Sequence, residues 1–345
     1  SGRFEGRRWD GRFDAVGEGL QIGTTGALDL ANNRFSGFRV DAWLRRPAAL
    51  LDGMDGQNVR FAARLDGGFA GPRFEYRLSA PWLSFGNTRL SGIEARGDGI
   101  AGGAIARLPL RLTVERITGL GEFADGIVRN LRAEGLLQWQ DGALTSDLIR
   151  LRSDGLDGRV ALTADFGTGD YLVGFDGALP GLEVGGLGRV DLVTDIEARR
   201  RADGNVAITG TARAAMQRFD NGFLRTLAGG LPTLTTTLAI GSDGVLRFTN
   251  IRLDAPLLTL AGEGERRTDG TFRFTARGEH GDYGPVTLIL DGPIGRPHVD
   301  LRFASPLPAA GLADVDLQLR PDASSFAFSA RGGSTLGLFE AEGRI

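Results

Sequence analysis

Two histidines, His280 and His298, make up the whole imidazole complement of the chain, and neither stands in an HExxH or any other metal-ligand spacing. Each borders a turn signal, so both read as surface or turn histidines rather than as ligands or proton carriers. Cysteine is absent, which removes disulfides, thiolate nucleophiles and Cys-based metal sites and suits an oxidising compartment. Lysine is absent as well: all 40 basic residues are arginines, so no GxxxxGK[ST] phosphate loop can be written. The run GLEVGGLGRVDL at 181–192 therefore reads as turn glycine. Repeated Asp-Gly pairs raise the possibility of calcium-binding repeats, but those need GGxGxD in strict register, and the spacing here is irregular. No GxSxG supplies a nucleophile to either histidine, and carboxylate neighbours such as Asp154 and Asp157 sit in turn-like sequence. We expect no enzyme, no metal and no cofactor.

The elements that would position any site are strands. Glycine occupies 54 of 345 positions, about twice the usual share, while proline stays at 13 and hydrophobic residues at 41%, which excludes collagen and argues against wholesale disorder. A net charge of -3, with 43 acidic residues interspersed among the basic ones, leaves no basic stripe for nucleic acid. Alternation of apolar and polar residues runs from end to end: Phe74, Tyr76 and Leu78; Leu110, Leu112 and Val114; Phe272, Phe274 and Ala276; Leu288 and Leu290; Leu301 and Phe303; Phe326 and Phe328. Each such run predicts a half-buried strand with one apolar and one wet face.

Asp-Gly pairs stand between the runs, at Asp10, Asp66, Asp98, Asp141, Asp176, Asp203, Asp243, Asp269 and Asp291, and predict tight hairpins. Two stretches break the period. GEFADGIVRNLRAEG predicts a short amphipathic helix near 121–132, and ARAAMQRFDNGFLRTLAGGLP, with Ala215, Phe219, Phe223 and Leu227 four apart, predicts another near 212–229. No linker or composition shift marks a boundary, so residues 1–345 read as one continuous segment. The chain opens SGRFEG without a Met and stops at GRI, as a piece of a longer protein would. LSAPWLSFGN at 78–87 is echoed by LDAPLLTLAG at 253–262, without a strict repeat period.

An apolar face repeated over so many strands must curl, split or find a partner. It either fills itself as a solid core or lines a groove, and period alone does not choose. The C-terminal third, with FLRTLAGGLPTLTTTL, IRLDAPLLTLAGEGERRTDGTFRFTARG, YGPVTLILDGPIGRPHVDLRFASP and GGSTLGLFEAEGRI, resembles the periplasmic part of the TamB family, the inner-membrane-anchored subunit of the translocation and assembly module, within the AsmA-like group. GRFDAVGEGLQIGTTGALDLANNRFSGFRVD and RSDGLDGRVALTADFGTGDYLVGFDG resemble further stretches of the same kind, so the resemblance spans essentially the whole chain. The DGxIxRPxVDL phrase at 291–301 is its most specific part.

The resemblance implies an all-β protein: an elongated, antiparallel sheet curled into a taco or half-pipe with an apolar interior. It also implies a periplasmic segment that carries phospholipid acyl chains between inner and outer membranes, and an outer-membrane barrel partner bound through regions outside this segment. On that reading Phe74, Tyr76, Leu78, Leu110, Leu112, Val114, Phe272, Phe274, Leu288, Leu290, Leu301, Phe303, Phe326 and Phe328 line the groove. An enclosed acyl chain gains about 0.8 kcal/mol per methylene kept from water. Alternatives are a structural or adhesive β-solenoid with a solid core, and a scaffold for barrel assembly. A carbohydrate-active β-helix would want inward carboxylates, where these positions are apolar.

Overall fold

The computed structural model describes residues 1–17, 19–49, 54–85, 88–102, 105–119, 128–200, 206–220, 222–241, 243–307, 311–322 and 325–344. Among them are 24 strands, one helix of seven residues, Gly222–Ala228, and a single 3-10 turn at Pro47–Ala49. The fold is all-β and antiparallel, as the alternation requires, and it is organised as two compact units, Ser1–Phe175 and Asp176–Ile345. Within each unit nearly every strand pairs with the strand before it. In the first unit Arg34–Leu44 skips the short Met54–Gln57 to pair with Val59–Gly68, and Met54–Gln57 pairs with Arg73–Phe85 instead.

Side-chain period and pairing register together set the two faces. In the strand Phe272–His280, Phe272, Ala276 and His280 are buried and Phe274 half-buried, while Arg273, Thr275, Arg277 and Glu279 are exposed. Antiparallel partners share a face, so Phe274 stands opposite Leu290, Ala276 opposite Leu288, and Leu288 opposite Leu301. In the first unit Tyr76 meets Gly97, Leu78 meets Ala95, Ala95 meets Leu112 and Ile93 meets Val114. A one-residue slip in either place would turn a whole apolar row outward.

The apolar rows collect into a core in each unit. Leu44, Val59, Ala80, Ile93, Val114 and Leu131 form the first, with Val114 1% exposed. Leu258, Leu260, Ala276, Val286, Val299, Leu301, Phe303 and Leu319 form the second. Bulges bend the strands around these cores: Asn250 at φ 53 marks a register shift between Phe248 and Ile251, and Gly92 at φ 63 breaks the ladder between Ser91 and Ile93. Buried hydroxyls satisfy carbonyls that the bulges loosen, as Thr236 does for Thr249 at 3.0 Å and Ser146 for Leu136 at 2.8 Å.

Two expectations need correction. Asp141–Gly142 forms the predicted tight turn, with φ of 49 and 85, and Asp243–Gly244 and Asp269–Gly270 also lie in turns. Asp10–Gly11, Asp66–Gly67, Asp98–Gly99, Asp176–Gly177 and Asp291–Gly292, however, lie inside strands. At Gly99 the reason is space: Phe74 lies across it, and a Cβ there would come 3.0 Å from the ring. Asp203 and Gly204 lie outside the described residues. The helix expected over 212–229 is confined to Gly222–Ala228, because Ala212 to Phe219 continue the strand Val206–Phe219 and pair with Gly188–Thr194. Of the helix expected over 121–132, residues 129–132 belong to the strand Arg129–Gln140, paired with Ala106–Thr118, and 121–127 lie outside the described residues.

Candidate functional site

The second unit forms a partly open cavity of 340 Å³, at the lower end of the 300 to 1,000 Å³, roughly, that small-molecule sites occupy. Its wall comes from the inward face of the sheet, with Val190, Ala214, Leu234, Ile251, Leu260, Phe274, Leu288, Leu290, Leu301 and Phe326 contributing. Among the described residues the lining carries no charged residue, and its one polar residue, Thr275, has its side chain on the exposed face of the strand. A larger hollow of 630 Å³ in the first unit is of another kind, with Arg12, Asp14, Asp41, Arg60 and Arg77 on its lining.

Two features close the cavity. The Val184–Gly188 turn and the Gly292–Pro297 turn approach until Gly186 and Gly295 touch through bare backbone. A Cβ on either glycine would collide with the other turn's carbonyl oxygen. These turns lie seven strand spacings apart, about 34 Å across a flat sheet, and at opposite ends of the strands, so the contact requires this unit's sheet to curl over its apolar face. Glycine is required at both positions for this approach.

The second feature is the helix. Seven residues are too few to hold a helix in water, and Gly222–Ala228 persists by laying Phe223 and Leu227 against the buried cluster. Its far end is tied down twice. Leu257 N–H donates to the Ala228 carbonyl at 3.0 Å, and His280, 1% exposed, bonds the Leu227 carbonyl through Nε2 at 2.9 Å. Because Nδ1 accepts from the amides of Asp282 at 3.1 Å and Tyr283 at 3.3 Å, the proton must sit on Nε2. The ring also stacks on Tyr283 with centroids 4.4 Å apart. This overturns the reading of His280 as a surface histidine: the imidazole is a structural fastener inside the unit. His298 is exposed at the head of the strand His298–Phe303.

The structure separates the fourteen candidate residues. Phe274, Leu288, Leu290, Leu301 and Phe326 line the cavity. Phe303 belongs to the buried cluster and Phe328 packs on it. Phe272 stacks on Phe248 and Phe274, at 6.3 and 5.7 Å, in a cluster of three rings. In the first unit Val114 is core, Leu78 and Leu112 pack against it, and Leu110 is half-buried. Phe74 and Tyr76 stack at 6.3 Å, and the Tyr76 hydroxyl donates to the Pro109 carbonyl at 2.9 Å. Burial raises the Tyr76 phenol pKa above its ordinary value. Sequence reasoning missed Val190, Met216 and the two closing turns. The four-residue spacing of Phe219, Phe223 and Leu227 was the signal for the helical wall.

Most charges stay on the outer face and the rims; Arg266, on the inward register of Leu258–Arg266, departs from this. Arg302 reaches Asp314 at 3.0 Å, and Arg267 reaches Asp291 at 3.0 Å. The Arg247 guanidinium holds the Asp243 carboxyl down at about 2, helped by the Val245 amide. Among the described residues no cluster of His, Asp or Glu is arranged to hold a metal ion, and no helix is long and apolar enough to cross a membrane. Comparison with protein-family models, with curated proteins and with solved structures found no match.

Proposed function

We propose that the second unit holds the acyl chains of a phospholipid in its uncharged cavity, and that the chain is a non-enzymatic segment of a periplasmic lipid bridge of the kind its resemblance to the TamB family implies. The observation that carries this is the wall itself. A partly open apolar hollow with no charged residue on its lining offers little to a polar substrate, yet saves an alkyl chain about 0.8 kcal/mol for each methylene it shelters. Anchoring in the inner membrane and contact with an outer-membrane barrel fall, on this reading, to regions outside the segment.

A photo-crosslinking amino acid placed at Phe274, on the wall, and separately at Arg273, on the outer face, tests the reading in cells fed labelled phospholipid. Lipid adducts are expected at Phe274 and not at Arg273. A folded protein with no adduct at Phe274 would transfer the case to a solid-core structural solenoid. The first unit favours that second reading locally, since Ala80 at 2% exposure and Val114 at 1% are fully buried in its core.

A further inference from the structure

Arg266 ends the strand Leu258–Arg266 on its inward register, opposite Leu246 on one side and Phe272 on the other. The arginines of the flanking strands, Arg247, Arg252, Arg273 and Arg277, point outward. The Arg266 guanidinium lies 5.9 Å from the Phe272 ring centroid, and its Nε is buried with no hydrogen-bond partner. No carboxylate pairs with it among the described residues, because those nearby are engaged elsewhere. Asp243 is held by Arg247, Asp291 and Glu265 by Arg267, and Asp269 by the Thr271 amide and hydroxyl. Arg266 is half-buried, and a guanidinium with its Nε buried and unbonded and no counter-ion gains from an anion that reaches it.

The cavity begins close by. Phe272 stacks on Phe274, and Phe274 is on the cavity wall. Two residues along a strand span about 7 Å, a distance the glycerol unit of a phospholipid bridges between its ester carbonyls and its phosphate. We propose that Arg266 binds the phosphate of a glycerophospholipid whose acyl chains lie in the cavity, its planar fork meeting two phosphate oxygens at once. This assignment rests on the acyl-chain reading of the cavity and adds the headgroup to it.

The full chain is offered, from vesicles, phosphatidylglycerol or a diacylglycerol with the same acyl chains, and the lipid it retains is measured after gel filtration. Wild-type protein is expected to retain the phospholipid about tenfold better, the scale of one charge-assisted hydrogen-bonded contact. Arg266→Gln lowers phospholipid retention to the diacylglycerol level and leaves diacylglycerol unchanged. Arg266→Lys keeps part of the preference, and Arg273→Gln, on the outer face, keeps all of it. An Arg266→Gln protein with unchanged circular dichroism and an intact preference overturns the proposal. Displacement by inorganic phosphate at a concentration equal to that of the lipid also overturns it, assigning the residue to a free anion. Retention of neither lipid by the wild type refutes the acyl-chain reading itself, a result distinct from loss of headgroup preference alone.

Discussion

The phrase LSAPWLSF and its echo LDAPLLTL adopt different structures in the two units. In the first unit it runs straight through one strand, Arg73–Phe85. Pro81 is tolerated there because it falls where the partner changes from Val59–Gly68 to Met54–Gln57, opposite the bulge at Gly92. In the second unit Ala255, Pro256 and Leu257 form the turn between Leu246–Asp254 and Leu258–Arg266, and Leu257 N–H caps the helix. One apolar phrase thus builds a packed wall in one place and a helix clasp beside a cavity in the other. Local sequence supplies the burial, and the neighbouring strands decide the shape.

The comparison breaks most sharply at His280. His280→Ala removes a buried ring and leaves the Leu227 carbonyl unpaired, which should destabilise the protein by about 2 to 4 kcal/mol. Denaturant unfolding measures the loss, and a Tyr283 fluorescence change without loss of stability would show the clasp to be dispensable. The two echoed alanines come next. Ala80→Leu overpacks a site 2% exposed and should cost about 2 kcal/mol. Ala255→Leu, in a half-exposed turn, should cost under about 1 kcal/mol. Equal losses in paired unfolding curves would mean that the echo is packed alike in both units.

The smallest effect is acid sensitivity. Asp243 is depressed to about 2, chiefly by Arg247, and Asp291 is lowered chiefly by Arg267, from an ordinary value of 3.8. A depressed folded-state pKa contributes stability above the unfolded value and loses it as pH falls through the folded one. Stability should therefore decline between about pH 4 and pH 2. Asp243→Asn should flatten part of that decline, and an unchanged slope would remove Asp243 from the account.

Much of this was legible in the residues. The alternation at Phe272, Phe274 and Ala276 placed those side chains inward, because a strand has only two faces and arginine will not share the apolar one without cause. Arg266 defeats that rule, and its pattern alone reads as a strand end. The Asp-Gly pairs misled at Asp98–Gly99, since a glycine beneath an aromatic ring is indistinguishable in sequence from a glycine in a turn. His280 was misread for the same kind of reason: its partner, the Leu227 carbonyl, is 53 residues away and is a backbone atom. The cavity was not legible, because apolar residues facing inward look alike whether or not space remains between them. The contact of Gly186 with Gly295 joins loops whose sequences carry no mutual signal.

The pairing of nearly every strand with its predecessor also bears on how quickly the protein can assemble. Most hairpins close a short loop, so the entropy lost at those steps is small and the next strand finds a template already in place. Such a chain can add structure strand by strand as it emerges from a ribosome or a secretion channel, without waiting for its far end. The approach of Gly186 to Gly295 is of another kind: it joins distant loops and can form only after everything between them is in place, so closure over the cavity should come late in folding.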